Sequence, residues 1–330
     1  MGRGRTSAHP KGGHLSRVAG VWGICLMLAG CVADGSGLAP ASTPRPVPAP
    51  SGGIGNPPPV APSAQSQAMR TYYAQIQATL LDQGLLRQDV APRDAPFGAR
   101  QLTENFIRIA LYDEYTSAGG NIVARQSPSH LRRWGGPVRM SVEFGASVPL
   151  AQRRSDSAAI SSYAGRLGRA TGHSVRFVPS GGNFSIFVVN EDERRALAPR
   201  LRELVPGIDG ASVRAITDLS PATFCVVFAF SEGQSSSYTR AVAVIRGEHP
   251  DALRLSCLHE ELAQGMGLAN DSPRARPSIF NDDEEFALLT RHDEMLLKIL
   301  YDPRLTPGMT ERDARPVIET IAAEMLGGES

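Results

Sequence analysis

Between Val138 and Ile245 the spacing of apolar residues switches repeatedly between two and three-to-four, and this switching restricts the possible folds more than any other feature of the chain. Val138-Arg-Met-Ser-Val-Glu-Phe144 alternates apolar and polar side chains, as a half-buried strand does when successive side chains point to opposite faces. Ser174–Val178, Phe184–Val189, Phe224–Phe230 and Tyr238–Ile245 are short runs rich in Val, Ile and Phe, and they predict four more strands. Helical stretches at 151–171 and Glu191–Leu204 separate them, and 251–267 and 290–301 follow the last strand with an irregular loop between. The order strand, helix, strand, strand, helix, strand, strand, helix, loop, helix predicts an α/β (α+β) domain, a mixed twisted sheet with helices packed on it.

Upstream, Met69, Tyr72, Tyr73, Ile76, Leu80 and Leu81 recur at helical spacing within 68–88. A second helix is expected over 99–115, opened by Thr103-Glu-Asn and carrying Phe106, Ile109, Ala110 and Tyr112. The chain therefore divides into an N-terminal helical segment (68–125), a main domain (126–310) and a C-terminal helix or tail (311–330).

The first 67 residues belong to none of these. Arg3, Arg5, Lys11 and Arg17 form a basic stretch ahead of the apolar run Val18–Gly30, which is shorter than the ~20 residues a spanning helix needs. Leu28-Ala29-Gly30-Cys31 matches the lipobox of bacterial lipoproteins at every position. Residues 1–31 thus read as a lipoprotein signal peptide, with Cys31 the lipid-bearing first residue of the mature protein. Acyl chains contribute ~0.8 kcal/mol per buried CH₂, so two or more make the anchoring stable. Val32, rather than Asp, follows the lipidated residue, and similarity to sorted lipoproteins then implies the outer membrane, facing the periplasm. Residues 32–67 alternate Pro with small residues, cannot bury a core, and are expected to form a disordered, extended tether. Net charge is +1, from 34 basic and 33 acidic residues, which excludes the concentrated basic face that nucleic acid requires. The bilayer is therefore the first expected partner. Of the four cysteines, Cys25 leaves with the signal, so Cys225 and Cys257 remain in an oxidising compartment. Such a pair reads as a disulfide; two buried free thiols are the alternative.

Cys257-Leu-His-Glu-Glu-Leu-Ala-Gln-Gly-Met-Gly-Leu-Ala-Asn-Asp271 is the most informative segment. Leu258, Leu262 and Met266 share one face of a helix, with Glu260 and Gln264 on the opposite side. Gly265 and Gly267 end the helix and let the chain turn. His259-Glu260 does not begin a zinc HExxH motif, because the residue four after His259 is Ala263. One residue later, Glu260-Glu-Leu-Ala-Gln-Gly-Met-Gly-Leu-Ala-Asn270 resembles the HExxHxxGxxH pattern of metzincin metallopeptidases in its matrixin-like form. Pro277-Ser-Ile-Phe-Asn281 resembles the methionine turn, with Phe280 at the Met position, and Leu289–Tyr301 resembles the final matrixin helix. The likeness covers roughly 130–303. The chain also resembles an uncharacterised family of bacterial lipoproteins, domain of unknown function 2927, in Glu260–Gln264, Gly267–Ser272, Ser278–Asp282 and Leu300–Met309.

The metzincin resemblance implies Glu261 as general base and Glu260, Gln264 and Asn270 at the three zinc-binding His positions, with Asp271 beside them. Catalytic zinc prefers imidazole or thiolate, so one carboxylate and two amides are not expected to hold it. A hard divalent cation, Ca²⁺, Mg²⁺ or Mn²⁺, is the only cofactor class this set suits. Three readings follow. A degenerate, zinc-free peptidase fold serves as a binding or structural module of the envelope, taking an extended peptide or envelope polymer by strand addition. An unusual hydrolase uses Glu261 as base, with Glu260, Gln264 and Asn270 or Asp271 holding a metal or water. Or the likeness is accidental and the segment is a capped core helix.

Other polar groups have plainer readings. His292 and Asp293 are expected at the surface of the first turn of 290–301, where Asp favours the helix dipole. Asn281–Glu285 reads as a solvated acidic loop, Ser180–Asn183 as a turn between strands, and Arg132-Arg-Trp134 as packing plus surface charge.

Overall fold

The computed structural model describes residues 60–118, 121–281 and 283–327; the signal peptide, Cys31 and most of the tether lie outside them. Two helices come first, α1 (Ala64–Asp82), whose N-terminus is capped by the Ser63 hydroxyl, and α2 (Ala99–Ala110). The expected helix over 99–115 is thus corrected: it stops at Ala110, and an antiparallel hairpin of β1 (Tyr112–Ala118) and β2 (Asn121–Pro128) follows. The apolar stripe of α2 runs on into Tyr112, which hid the change of period. Gly119-Gly120 between two β-prone runs is the hairpin signal in the sequence.

The main sheet is built from β3 (Arg133–Trp134), β4 (Val138–Phe144), β5 (Val175–Phe177), β6 (Phe184–Val189), β7 (Cys225–Ser231) and β8 (Ser237–Arg246). β5, β4, β6 and β8 lie side by side in that order and run parallel. β7 closes the row at the β8 edge and is antiparallel to it, while β3 pairs only with the first two residues of β8. Every residue of β6 is buried, which explains its unbroken Phe-Ser-Ile-Phe-Val-Val sequence: a central strand covered on both faces has no solvent side.

The helices that cover the sheet are α3 (Leu150–Thr171), α4 (Glu191–Arg195), α5 (Ala198–Leu204), α6 (Gly210–Thr217), α7 (Asp251–Gln264), α8 (Arg291–Leu300) and α9 (Glu311–Leu326). On one face α2, α3, α7, α8 and α9 share a core with Ile186, Val188, Ala241 and Ala243. On the other, α5 and α6 pack Leu201, Val213 and Ile216 against Phe187, Val226, Val242 and Val244. The single helix expected over Glu191–Leu204 is broken in two, with Pro199 seated in the first turn of α5, where its missing N–H costs nothing. Among the described residues no helix is long and apolar enough to cross a membrane.

Cys225, the first residue of β7, is disulfide-bonded to Cys257 in the middle of α7. The edge strand and the helix beneath it are thereby joined across a separation of 32 residues. Replacing both cysteines by Ser is expected to lower the free energy of unfolding by about 3–4 kcal/mol in a urea titration. An unchanged midpoint would mean that the two elements are held by packing alone.

Candidate functional site

The position of α7 is set before its polar face is considered. Leu253, Leu258 and Leu262 enter the core. Buried Arg254 donates to Asp156 of α3 at 2.9 Å, and the Tyr163 hydroxyl donates to the His259 carbonyl at 2.7 Å. At the C-terminal end the carbonyls left without helical partners are taken up from outside. Trp134 Nε1 donates to the Gly265 carbonyl at 2.8 Å and the Tyr301 hydroxyl to that of Met266 at 3.0 Å. Gly265 lies against the Phe184 ring, where a Cβ would come within 2.4 Å. Gly267 turns the chain with φ 125°, and a Cβ there would meet the Arg132 carbonyl at 2.3 Å. Both glycines are required by close approach, and at Gly267 the chain also turns, as the sequence implied.

His259 does not line the groove that follows it. Its ring stacks on Tyr163 with centroids 4.0 Å apart, and Nδ1 accepts the Leu289 amide at 3.0 Å. Burial, with Arg166 nearby, pushes it down to about 3, so it stays neutral.

Beyond it, Glu260 and Glu261 floor a groove of ≈ 480 Å³. One wall is the chain from Thr223 through Ala229, which includes most of β7. The opposite wall is Ile279, Asn281 and Glu284 of the loop between α7 and α8, and one end is formed by Asp113 and Glu114 at the root of β1. β7 has β8 as a partner on one side; no strand pairs with its other edge among the described residues. The hairpin rises from this end, where Gln126 of β2 donates to the Asp271 carbonyl at 3.0 Å. β2 also packs on α6, on the opposite face of the sheet from α7.

The loop wall is held by Asp293, and here the expected surface position of His292 and Asp293 is corrected: both are fully buried. The Asp293 carboxylate accepts the Ser278 hydroxyl at 2.5 Å, the Ile279 amide at 3.1 Å and the Thr290 amide and hydroxyl at 2.8 Å each. It caps α8 and fixes Pro277–Asn281 at once, which a surface carboxylate could not do. His292 Nε2 lies 3.0 Å from the Asn105 side-chain amide. In the acidic loop, Glu285 pairs with Arg87 at 2.8 Å and Arg276 at 2.6 Å.

Of the residues singled out from the sequence, Glu260, Glu261, Gln264 and Asp271 meet at the groove, where Gln264 Nε2 donates to Asp271 Oδ1 at 3.0 Å. Asn270 does not line it: its side chain is buried and Nδ2 donates to the Arg108 carbonyl at 2.7 Å. With one amide bonded to a main-chain carbonyl and another to a carboxylate, the set does not fit a zinc ion. Among the described residues no group of three or more His, Cys, Asp or Glu is arranged to hold a metal ion.

Glu261 is 4% exposed, and its Oε2 has no hydrogen-bond partner. Burial raises Glu261 well above the usual glutamate range, with Asp271 and Glu114 adding to the shift. Glu260 is raised likewise, by burial first and then by Asp271, Glu261, Glu284 and Glu114. Glu114 and Glu284 escaped the sequence reading. Glu114 falls where helix was expected to continue, and Glu284 reaches the groove through a left-handed backbone, φ 58°, in a loop read as solvated. The β-prone Tyr and Thr residues of Tyr112-Asp-Glu-Tyr-Thr were the one usable signal for the first; none existed for the second.

A buried carboxyl with a raised pKa holds its proton more tightly in the folded than in the unfolded chain. Its contribution to stability is therefore present below the ordinary value of 4.5 and lost as pH rises toward the folded value. Glu261→Gln is expected to raise the melting temperature, and the gain should be larger at about pH 8 than at about pH 5. Equal gains at both would show that Glu261 is ionised in the fold throughout.

Residues 99–320 match the model of a family described as a protein of unknown function (DUF2927), and the chain belongs to that family. No curated protein and no solved structure matches it.

Proposed function

We propose that this DUF2927 chain is a lipoprotein of the cell envelope, anchored in the outer membrane through Cys31 and facing the periplasm. Its groove works as a binding or structural module that takes an extended peptide or envelope polymer. The observation that carries this reading is a strand edge, that of β7, without a strand partner among the described residues, bordering a groove with a polar floor. Unpaired backbone N–H and C=O groups on such an edge are a template for a further strand, and side chains at alternate positions of the added strand point into the floor.

The sheet order β5-β4-β6-β8-β7, with only the edge strand reversed and α7 below it, supports the metzincin likeness read from the sequence. The donor set does not support zinc hydrolysis, so binding is the better reading. Hydrolysis with Glu261 as general base has one observation in its favour, the unpartnered Oε2 in the groove. That reading requires cleavage of a peptide substrate whose rate climbs as Glu261 loses its proton.

Strand addition is tested with fluorescent heptapeptides methylated at backbone nitrogen. Methylating one alternate set of residues should weaken binding by about tenfold or more, and methylating the other set should leave it unchanged, since only one edge of the added strand faces β7. Equal loss from both sets would rule out strand addition. For the anchor, Cys31→Ala is expected to abolish palmitate labelling of the chain in cells and release it from the membrane fraction. Retained labelling would place the lipid elsewhere.

A further inference from the structure

We infer that the groove selects an extended chain carrying cationic side chains, ammonium or guanidinium, at alternate positions. The inference rests on the groove reading above and adds the chemistry of its occupant. Six carboxyl groups line the groove from four separate parts of the chain: Asp113 and Glu114 from β1, Glu260 and Glu261 from α7, Asp271 after it, and Glu284 from the loop before α8. Among the described residues the lining contains one cation, Arg132, which is ion-paired with Asp113.

Acidic clusters are common on surfaces and mean little by themselves. Here a second observation points to a ligand. Glu261 is 4% exposed, faces the groove, and has an oxygen with no partner. Buried Glu248 also has an oxygen with no partner among the described residues, but it does not line the groove. Two other buried carboxylates are treated differently. Glu191 is bonded to Arg194 at 2.8 Å and Arg246 at 2.7 Å, and Asp156 is clasped by Arg254 at 2.9 Å. An uncompensated buried carboxyl is costly, and this chain has the means to compensate one. At the groove the compensating cation is left for the ligand to bring.

The spread of the acids decides what kind of cation this is. No three of them converge to hold a metal ion. Glu260 and Glu261 are successive on a helix and project about 100° apart, while Glu114 and Glu284 come from β1 and from the loop before α8. Several charges distributed along a groove match several side chains on one extended chain. On a strand those facing the floor are alternate residues, about 6.6–7 Å apart.

Protons are the second readout. In the free protein burial and mutual repulsion keep Glu260 and Glu261 protonated beyond the usual range. The charged and titratable groups facing them are Glu114 and Asp113 of β1, Arg132, Tyr238 of β8, Asp271 and Glu284. A cation entering this set favours the ionised carboxylates, so binding releases protons and tightens as pH rises.

The test uses the full-length protein in detergent and three labelled heptapeptides with Thr at the odd positions. The even positions carry Lys, Nε-acetyl-lysine or Glu. The Lys peptide should bind about tenfold or more tightly than the acetylated one, and the Glu peptide should not bind. Its affinity should rise from about pH 5.5 to about pH 8, with proton release seen by calorimetry in buffers of different ionisation enthalpy. Glu260→Gln with Glu261→Gln should remove the preference, and Glu284→Gln on the wall should weaken it without touching the floor. Lys and acetyl-lysine peptides binding alike would overturn charge selection and leave the groove intact. No binding of any peptide would overturn both. A Lys preference that survives all the Gln variants would be diffuse surface attraction and would also overturn the proposal.

Discussion

The clamping of α7 is the constraint on which the remainder of the molecule depends. This helix carries two successive carboxyl groups whose surroundings disfavour their charge, so its position cannot be owed to them. It is owed to groups elsewhere on the helix: the Cys225–Cys257 bond to the edge strand, the Arg254–Asp156 pair to α3, and the Trp134 and Tyr301 donors at its final carbonyls. With the helix so fixed, the two glutamates are free of structural duty. Gly265 and Gly267 let Phe184 and the Arg132 carbonyl press against the helix end, which removes the slack through which a strained polar face could relax.

Buried charge is handled in two contrasting ways. On the α4–α6 side, Arg194 and Arg246 are fully buried and share Glu191, so charge taken out of water is returned as close ion pairs. At the groove no such pair meets Glu260 and Glu261 among the described residues, and burial with mutual repulsion raises both toward the protonated form instead. The first arrangement is rigid and indifferent to solution conditions near neutrality. The second responds to anything that alters the local potential, as binding sites do.

Much of the fold was legible in the chain because strands and long helices declare themselves by period. The five strand runs between Val138 and Ile245, the helix at 151–171 and the Cys225–Cys257 pair were all readable, since each rests on local pattern or on pairing by elimination. Where the pattern was ambiguous the reading failed. Tyr112 continued the stripe of α2 and concealed β1, and in the charged run Glu191–Leu204 the break signalled by Pro199, with α6 beyond it, was passed over. The site was half legible. Glu260, Glu261, Gln264 and Asp271 lie close in sequence and were found together. Glu114 arrives from more than a hundred residues away, and Asp293 looked like an ordinary helix-start acid. Its burial depends on Ser278 and Thr290 folding over it, which no local rule encodes.

The β1–β2 hairpin bonds to Asp271 through Gln126 and rests on α6, so it bridges elements on the two faces of the sheet. Asp113 and Glu114 stand at its base, beside the two glutamates of α7. Any shift of β2 against α6 would therefore move two carboxyl groups relative to α7, and the acidity of the groove would be adjustable from the far side of the sheet.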